Sequence, residues 1–346
     1  MKTDSYWEQR ASERTLFYHK NSFETIKKVN TAYDKALEDI LNDINKIFYT
    51  FAKKEEISLE DAKKILSSPV SDSELSNIRD KIKTIPDSKS KRSILAKLRN
   101  NAKAYKARIT RLEALKESID INIKSVASIE TQLTTLGLVN NINQAYYRTI
   151  FDIQKGVGLE FNFSQMPVQT IEEILRNNWS GKYYVDRIGK NADVLASKLQ
   201  DTLLSGISSG KSYSKMAKEL DSALDIGKFS AKRLIATETT YVTNMAELES
   251  YKECDIDKYV FVAKLDLTTS LICREHDGKV YAVTEGVTGK TLPPLHVFCR
   301  STTIAYFGDD VLSNMQRRAT DSDTGKTYVL PQYMNYKEWY QKYVKK

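Results

Sequence analysis

The chain has 346 residues, beyond the roughly 250–300 at which one hydrophobic core usually stops growing, and its 41% hydrophobic and 28% charged content excludes a disordered protein. Lys and Arg number 53 against 45 Asp and Glu, a net charge of +8 that favours polyanionic partners without naming one. The opening MKTDSYWEQR has no apolar signal core, no run approaches about 18 apolar residues, and three cysteines are too few for a disulfide framework, so export, a membrane span and a disulfide scaffold are not expected.

The first clear element is a stripe. Ile26, Val29, Tyr33, Leu37, Ile40, Ile44, Ile47 and Phe51 recur at steps of three and four, with Lys27, Lys28, Asp34, Lys35, Asp39 and Asp43 between them. That spacing predicts a long amphipathic helix packed against another helix. Ser58-Leu-Glu-Asp61 and Ser71-Asp-Ser-Glu74 place a capping hydroxyl three residues before an acid and predict two short helices. Pro86-Asp87-Ser88 breaks the pattern, and a further helix is predicted from there to about Ser128.

The charge of this segment is one-sided. Lys89, Lys91, Arg92, Lys97, Arg99, Lys103, Lys106, Arg108, Arg111 and Lys116 face the single acid Glu113, while Ile94, Leu98, Tyr105, Ile109 and Leu112 keep a core-facing stripe. Two readings stand side by side: a basic face for phosphates or an acidic protein surface, and a plain solvated face.

FNFSQMPV, ending at Val168, marks a joint at Pro167. Helices are predicted at Val168–Arg176, Tyr183–Leu204, Tyr213–Leu224 and Ser230–Tyr251. KYVFVAKL from 258, KVYAV from 279 and STTIAYF from 301 read as short strands. The expected fold is therefore mainly α with a smaller α+β unit: a long helical part over 1–165, helices with a small antiparallel sheet over 166–308, and a polar, aromatic tail over 309–346.

The densest chemical signal is Cys273-Arg-Glu-His276, followed after nineteen residues by His296-Val-Phe-Cys299. Two x2-spaced pairs offer four N and S donors, and Asp277-Gly278 and Gly289 supply turns that can bring them around one structural zinc. The plainer reading is that both cysteines are small buried hydrophobes. Phosphate-binding and dinucleotide loops are absent, no obvious general base is left in this unit once His276 and His296 are taken as ligands, and Asp266 or Glu238 could bind magnesium but form no paired-acid motif, so no catalytic residue is assigned.

Trp179 to Phe307 resembles the head-morphogenesis domain shared by the minor head proteins of phage Mu and phage SPP1. The resemblance rests on Asn178-Trp179-Ser-Gly181 with Arg187, on Gly210-Lys-Ser212, and on Arg233-Leu-Ile-Ala-Thr237-Glu238 with Asn244 and Ala246. It continues through Asp266, Thr269-Ser270, Cys273 and Asp277-Gly278-Lys279-Val280-Tyr281, and ends on Pro293-Pro294-Leu-His296 with Cys299-Arg300. In many such proteins a cysteine stands where Ser270 does; here that C-x2-C pair is absent and the fourth zinc donor falls to His276. Arg233, Glu238 and Asp266 are expected to form a buried polar network pinning sheet to helices. The resemblance implies a non-enzymatic virion protein inside the phage head, made in the host cytoplasm. It would associate with the portal and with capsid or scaffold, and contact double-stranded DNA non-specifically during packaging or ejection. The alternative is a metal-dependent nuclease built on the same Cys/His cluster.

Overall fold

The computed structural model describes residues 5–48, 67–69, 76, 80, 110–158, 162–308, 316–320, 327–331 and 336–344. The protein is mainly helical, with a small antiparallel sheet in its C-terminal half. Its elements in chain order are α1 (Ser5–Phe48), α2 (Arg111–Val157), α3 (Val168–Arg176), α4 (Tyr184–Ser208), α5 (Tyr213–Glu253), β1 (Lys258–Val262), α6 (Leu271–His276), β2 (Val280–Ala282), β3 (Thr302–Ala305), β4 (Gln316–Thr320), β5 (Thr327–Pro331) and α7 (Tyr336–Trp339). The chain divides into two units. The first comprises Met1–Thr25, Thr135–Tyr183 and Arg233–Lys346, the second Ile26–Thr134 and Tyr184–Lys232.

In the second unit, Ile26, Val29, Tyr33, Ile40 and Ile44 of the predicted α1 stripe are buried and Leu37 is half-buried, while the side chains of Ile47 and Phe51 lie outside the described residues. The helix starts well before that stripe, because residues 5–48 contain no glycine or proline to stop it. Its first half keeps the same spacing with Trp7, Ala11, Arg14, Tyr18 and Ser22 buried in the first unit. Arg14 and Ser22 at core positions hide the stripe from a reading by hydrophobicity. The two cap-like stretches at 58–61 and 71–74, and the part of the predicted helix over 88–109, lie outside the described residues. Beyond them α2 runs past the expected end near Ser128 to Val157.

Arg14 sits in a buried ionic cluster of the first unit. Its Nη1 donates to Asp152 Oδ2 at 2.5 Å and its Nε to Glu247 Oε1 at 3.3 Å, while Arg10 Nε reaches Asp152 Oδ1 at 2.6 Å and Thr302 Oγ1 donates to Glu247 Oε2 at 3.2 Å. Burial pushes the Glu247 carboxyl above its ordinary range, against the pull of Arg14. Gly156 permits the close packing here: a Cβ at that position would stand 2.3 Å from the Trp7 ring.

Glu130 in the second unit is buried too, and it accepts from Tyr33 Oη at 3.0 Å. Burial pushes its pKa up to about 7, opposed by the Tyr33 hydrogen bond. Between the ordinary value of 4.5 and about 7 the folded chain holds a proton that the unfolded chain has released. Stability therefore declines as pH rises through that window and is level above it. Glu130→Gln should abolish this slope and leave the variant more stable than the parent at pH of about 8, by on the order of 3 kcal/mol. Urea midpoints at several pH values measure the difference; parallel pH profiles for the two proteins would refute it.

The two helices expected at Tyr213–Leu224 and Ser230–Tyr251 are one, α5. Gly227, between the two predicted segments, lies within the helix, and a Cβ there would meet Leu195 Cδ2 at 2.7 Å and Tyr33 Cε1 at 2.8 Å. The residue serves packing, at a cost of about 1 kcal/mol in helix propensity.

In the first unit β1 pairs antiparallel with β2 and β3, in the order β2-β1-β3, with Tyr259 opposite both Tyr281 and Ala305. The strands fall within the three predicted stretches. Tyr251, Tyr259, Val260, Leu248 and Ile304 join Trp7 and Ile153 in one apolar cluster. The tail adds a hairpin, β4 with β5, that its polar composition did not signal. Trp339 is buried against Leu265 and Ala319, and its Nε1 donates to Tyr328 Oη at 2.6 Å, so this tail docks on the protein's own first unit.

Candidate metal centre

Cys273 lies on the short helix α6, where Ser270 is the N-cap and its Oγ accepts from the Cys273 N–H at 3.4 Å. The preceding loop is tied down by Arg274, whose Nε donates to Thr269 O at 2.7 Å. Asp277 closes the other end of α6, accepting from the Ala263 N–H at 2.9 Å, and Gly278 with φ +77° turns the chain into β2. Cys273 and Cys299 are both buried beside Phe261 and Ala263, with Leu295 and Tyr281 against them.

The loop that brings His296 and Cys299 is held by hydroxyls of α5. Thr237 Oγ1 accepts from the Phe298 N–H at 3.1 Å, and Thr240 Oγ1 donates to Cys299 O at 2.8 Å. Phe298 takes the left-handed conformation, φ +56°, that this anchoring requires. Arg300 follows at once and grips Asp266 with two nitrogens, Nη1 to Oδ2 at 2.5 Å and Nη2 to Oδ1 at 2.8 Å. These bonds, with those from Thr268, hold the Asp266 carboxyl at about 2 against the opposing effect of burial.

Cys273 Sγ stands 3.2 Å from His296 Nε2 and 3.6 Å from Cys299 Sγ, and the three donor atoms lie within 4.8 Å of one another. Zinc bonds of about 2.3 Å to sulfur and about 2.0–2.1 Å to nitrogen in a tetrahedron imply edges of about 3.8 Å and about 3.6 Å, so the spacing fits one ion with small adjustment. His296 Nδ1 is 2.7 Å from Val297 O. A hydrogen bond there puts the proton on Nδ1 and leaves Nε2 as the free donor, the arrangement found around metal-bound histidine. The hydrogen bond from Cys273 holds the Cys299 thiol well below its ordinary value and reciprocally pushes that of Cys273 up. The lowered Cys299 thiol shares a hydrogen bond with His296, an arrangement that a cation, either a proton or a metal, would complete. This Cys-His-Cys group can hold a metal.

His276, the fourth expected donor, is not in the group. Its Nδ1 meets Tyr281 Oη at 2.8 Å, and its ring packs 5.4 Å from that of Phe261. Cys273 and His276, three residues apart on α6, both pack against Phe261 and Tyr281, but His276 Nδ1 is tied to Tyr281 Oη while Cys273 Sγ meets His296 and Cys299.

The expected network of Arg233, Glu238 and Asp266 is likewise replaced by separate contacts. Asp266 belongs to Arg300, Glu238 accepts from Trp179 Nε1 at 3.2 Å, and Arg233 is exposed. The sequence reading missed Arg300 as the Asp266 partner and Thr240 as an anchor of the loop. Thr237, Thr240 and Asn244, at i, i+3 and i+7 on a helix face that ought to be apolar, were the available signal. Of the basic residues, Lys89, Lys91, Arg92, Lys97, Arg99, Lys103, Lys106 and Arg108 lie outside the described residues. Arg111 opens α2 and donates from Nη1 to Ser68 Oγ at 2.6 Å.

Residues 197–304 match the family profile described as Phage Mu protein F like protein. The match runs from within α4 to β3 and takes in all three donors. An NAD(+)–arginine ADP-ribosyltransferase, EFV, of Enterococcus faecalis is 26% identical over 211 residues, covering 57% of this chain and 42% of that protein. The chain thus spans less than half the length of this curated relative. No solved structure gives a significant match.

Proposed function

We propose, from the premise that residues 197–304 belong to the phage Mu protein F-like family, that the chain is a minor structural protein of a bacteriophage head. In this reading it sits inside the virion in few copies beside the portal, assembles with capsid or scaffold in the host cytoplasm, and contacts DNA non-specifically during packaging or ejection. The observation that carries it is the family match itself, which covers α5, the sheet and the Cys/His group as one piece.

The geometry supports a structural rather than a catalytic role. Asp266 is committed to Arg300, Asp277 to the backbone of Ala263 and Glu238 to Trp179, so the acids a nuclease would need hold the fold together. A zinc ion on Cys273, His296 and Cys299 would cross-link α6 to the loop after it and supply folding energy.

Mass spectrometry of purified, nuclease-treated phage particles should find this chain at low abundance beside portal and capsid proteins. Particles complete without it would overturn the reading. DNA contact has its own test: reversing charge at Lys97, Arg99, Lys103 and Lys106 should weaken binding and flatten its salt dependence, by a slope of about 0.9 per lost phosphate contact. Unchanged affinity would remove the basic segment from the proposal. Metal-dependent DNA cleavage lost in His296→Ala would instead favour the nuclease.

A further inference from the structure

We infer that the centre formed by Cys273, His296 and Cys299 is an open one, holding its metal with three protein donors and taking the fourth from outside the chain. The inference rests on the metal reading above and concerns the one coordination position that reading leaves unassigned.

The count of donors is the first observation. The chain has three histidines and three cysteines in all, and every one is among the described residues. Cys254 and His19 are not in the group, and His276 is engaged by Tyr281. No further imidazole or thiolate joins the three donors within 4.8 Å, although the His19 ring lies close enough to Cys299 to interact with it electrostatically. Among the described residues the neighbouring oxygen donors are also engaged: both Asp266 oxygens by Arg300, Ser270 Oγ by the N–H of Cys273, and the Ser301 side chain by Cys273.

Access is the second observation. The two sulfurs are buried, but His296 is only half-buried and its neighbour Val297 is 57% exposed. The group therefore has a dry sulfur side and an imidazole side that reaches the surface. Two thiolates balance a divalent ion, so the fourth direction suits a monodentate nitrogen or oxygen donor: water in the isolated chain, replaceable by an imidazole or a carboxylate.

Cobalt(II) in place of zinc makes the test visible, because its d–d absorption reports the identity and number of ligands. The full chain should take up one cobalt, and imidazole should shift the d–d bands while the ion stays bound. Ser270→Cys puts a thiolate at the x2 spacing before Cys273; it should strengthen the sulfur-to-cobalt charge-transfer band and abolish the imidazole response. His276→Ala should behave as the parent does. Failure of the parent to bind cobalt or zinc would sink the metal reading itself. Stoichiometric cobalt with a spectrum indifferent to imidazole would overturn the open position alone, and a response gained only in His276→Ala would name His276 as the internal fourth ligand.

Discussion

Replacing Arg14 by methionine is expected to destabilise the protein by about 3–5 kcal/mol, because it leaves Asp152 and Glu247 buried with too little positive charge between them. Both carboxylates have side chains only 1% exposed, and Arg14 bridges them from α1. Arg10 can still hold Asp152, and Thr302 can still donate to Glu247, so Glu247 suffers most. Adding Glu247→Gln to the variant should therefore recover part of the loss, since the second change removes the uncompensated charge rather than another contact. Urea unfolding of the parent, the two single variants and the double variant at neutral pH measures the coupling. A loss below about 1 kcal/mol for Arg14→Met would mean that water reaches the cluster and solvates it.

Stripping metal is expected to have an effect of comparable size. Purified protein should contain close to one zinc per chain, and chelation or Cys299→Ser should remove it and lower the melting temperature. Free zinc at about a thousand times its dissociation constant stabilises the folded chain by about 4 kcal/mol through mass action alone. The loss should be reversed by adding zinc to the chelated parent and not to Cys299→Ser. Metal-free protein as isolated, with a melting temperature unaffected by chelator or zinc, would return both cysteines to the role of small buried hydrophobes. Zinc affinity should weaken as pH falls, because protons compete for the thiolates and the imidazole.

Some of this architecture is plain in the sequence. Val168–Arg176 is a helix over the predicted residues because Pro167 sits at its start and the apolar spacing is regular. The three strands of the sheet are visible as runs of β-branched and aromatic residues. The first half of α1 is not visible, since Arg14 occupies a core position only because Asp152 and Glu247 lie far away in sequence. Gly227 misleads for a related reason: a local breaker is tolerated where a neighbouring helix leaves no room for a Cβ. In the metal centre, spacing singles out the right pieces of chain but not which histidine turns inward. That choice depends on Tyr281, which β2 brings up to take the His276 ring, and on Thr237 and Thr240, which set the loop that carries His296.

The two threonines that anchor the Cys299 loop tie α5 to the Cys-His-Cys group without being among its donors. Thr237 and Thr240 lie less than one turn apart, one accepting from the loop and the other donating to it. A small rotation of this stretch of α5 would break both bonds together and leave Cys299 held by its N–H to His296 O and its contact with Cys273. By thermodynamic reciprocity, an ion bound through Cys299 would favour the setting of α5 that keeps both bonds, and a change that turned the helix would weaken binding of that ion. A metal bound by Cys273, His296 and Cys299 would thus latch this stretch of α5, and its retention would report the helix setting from outside.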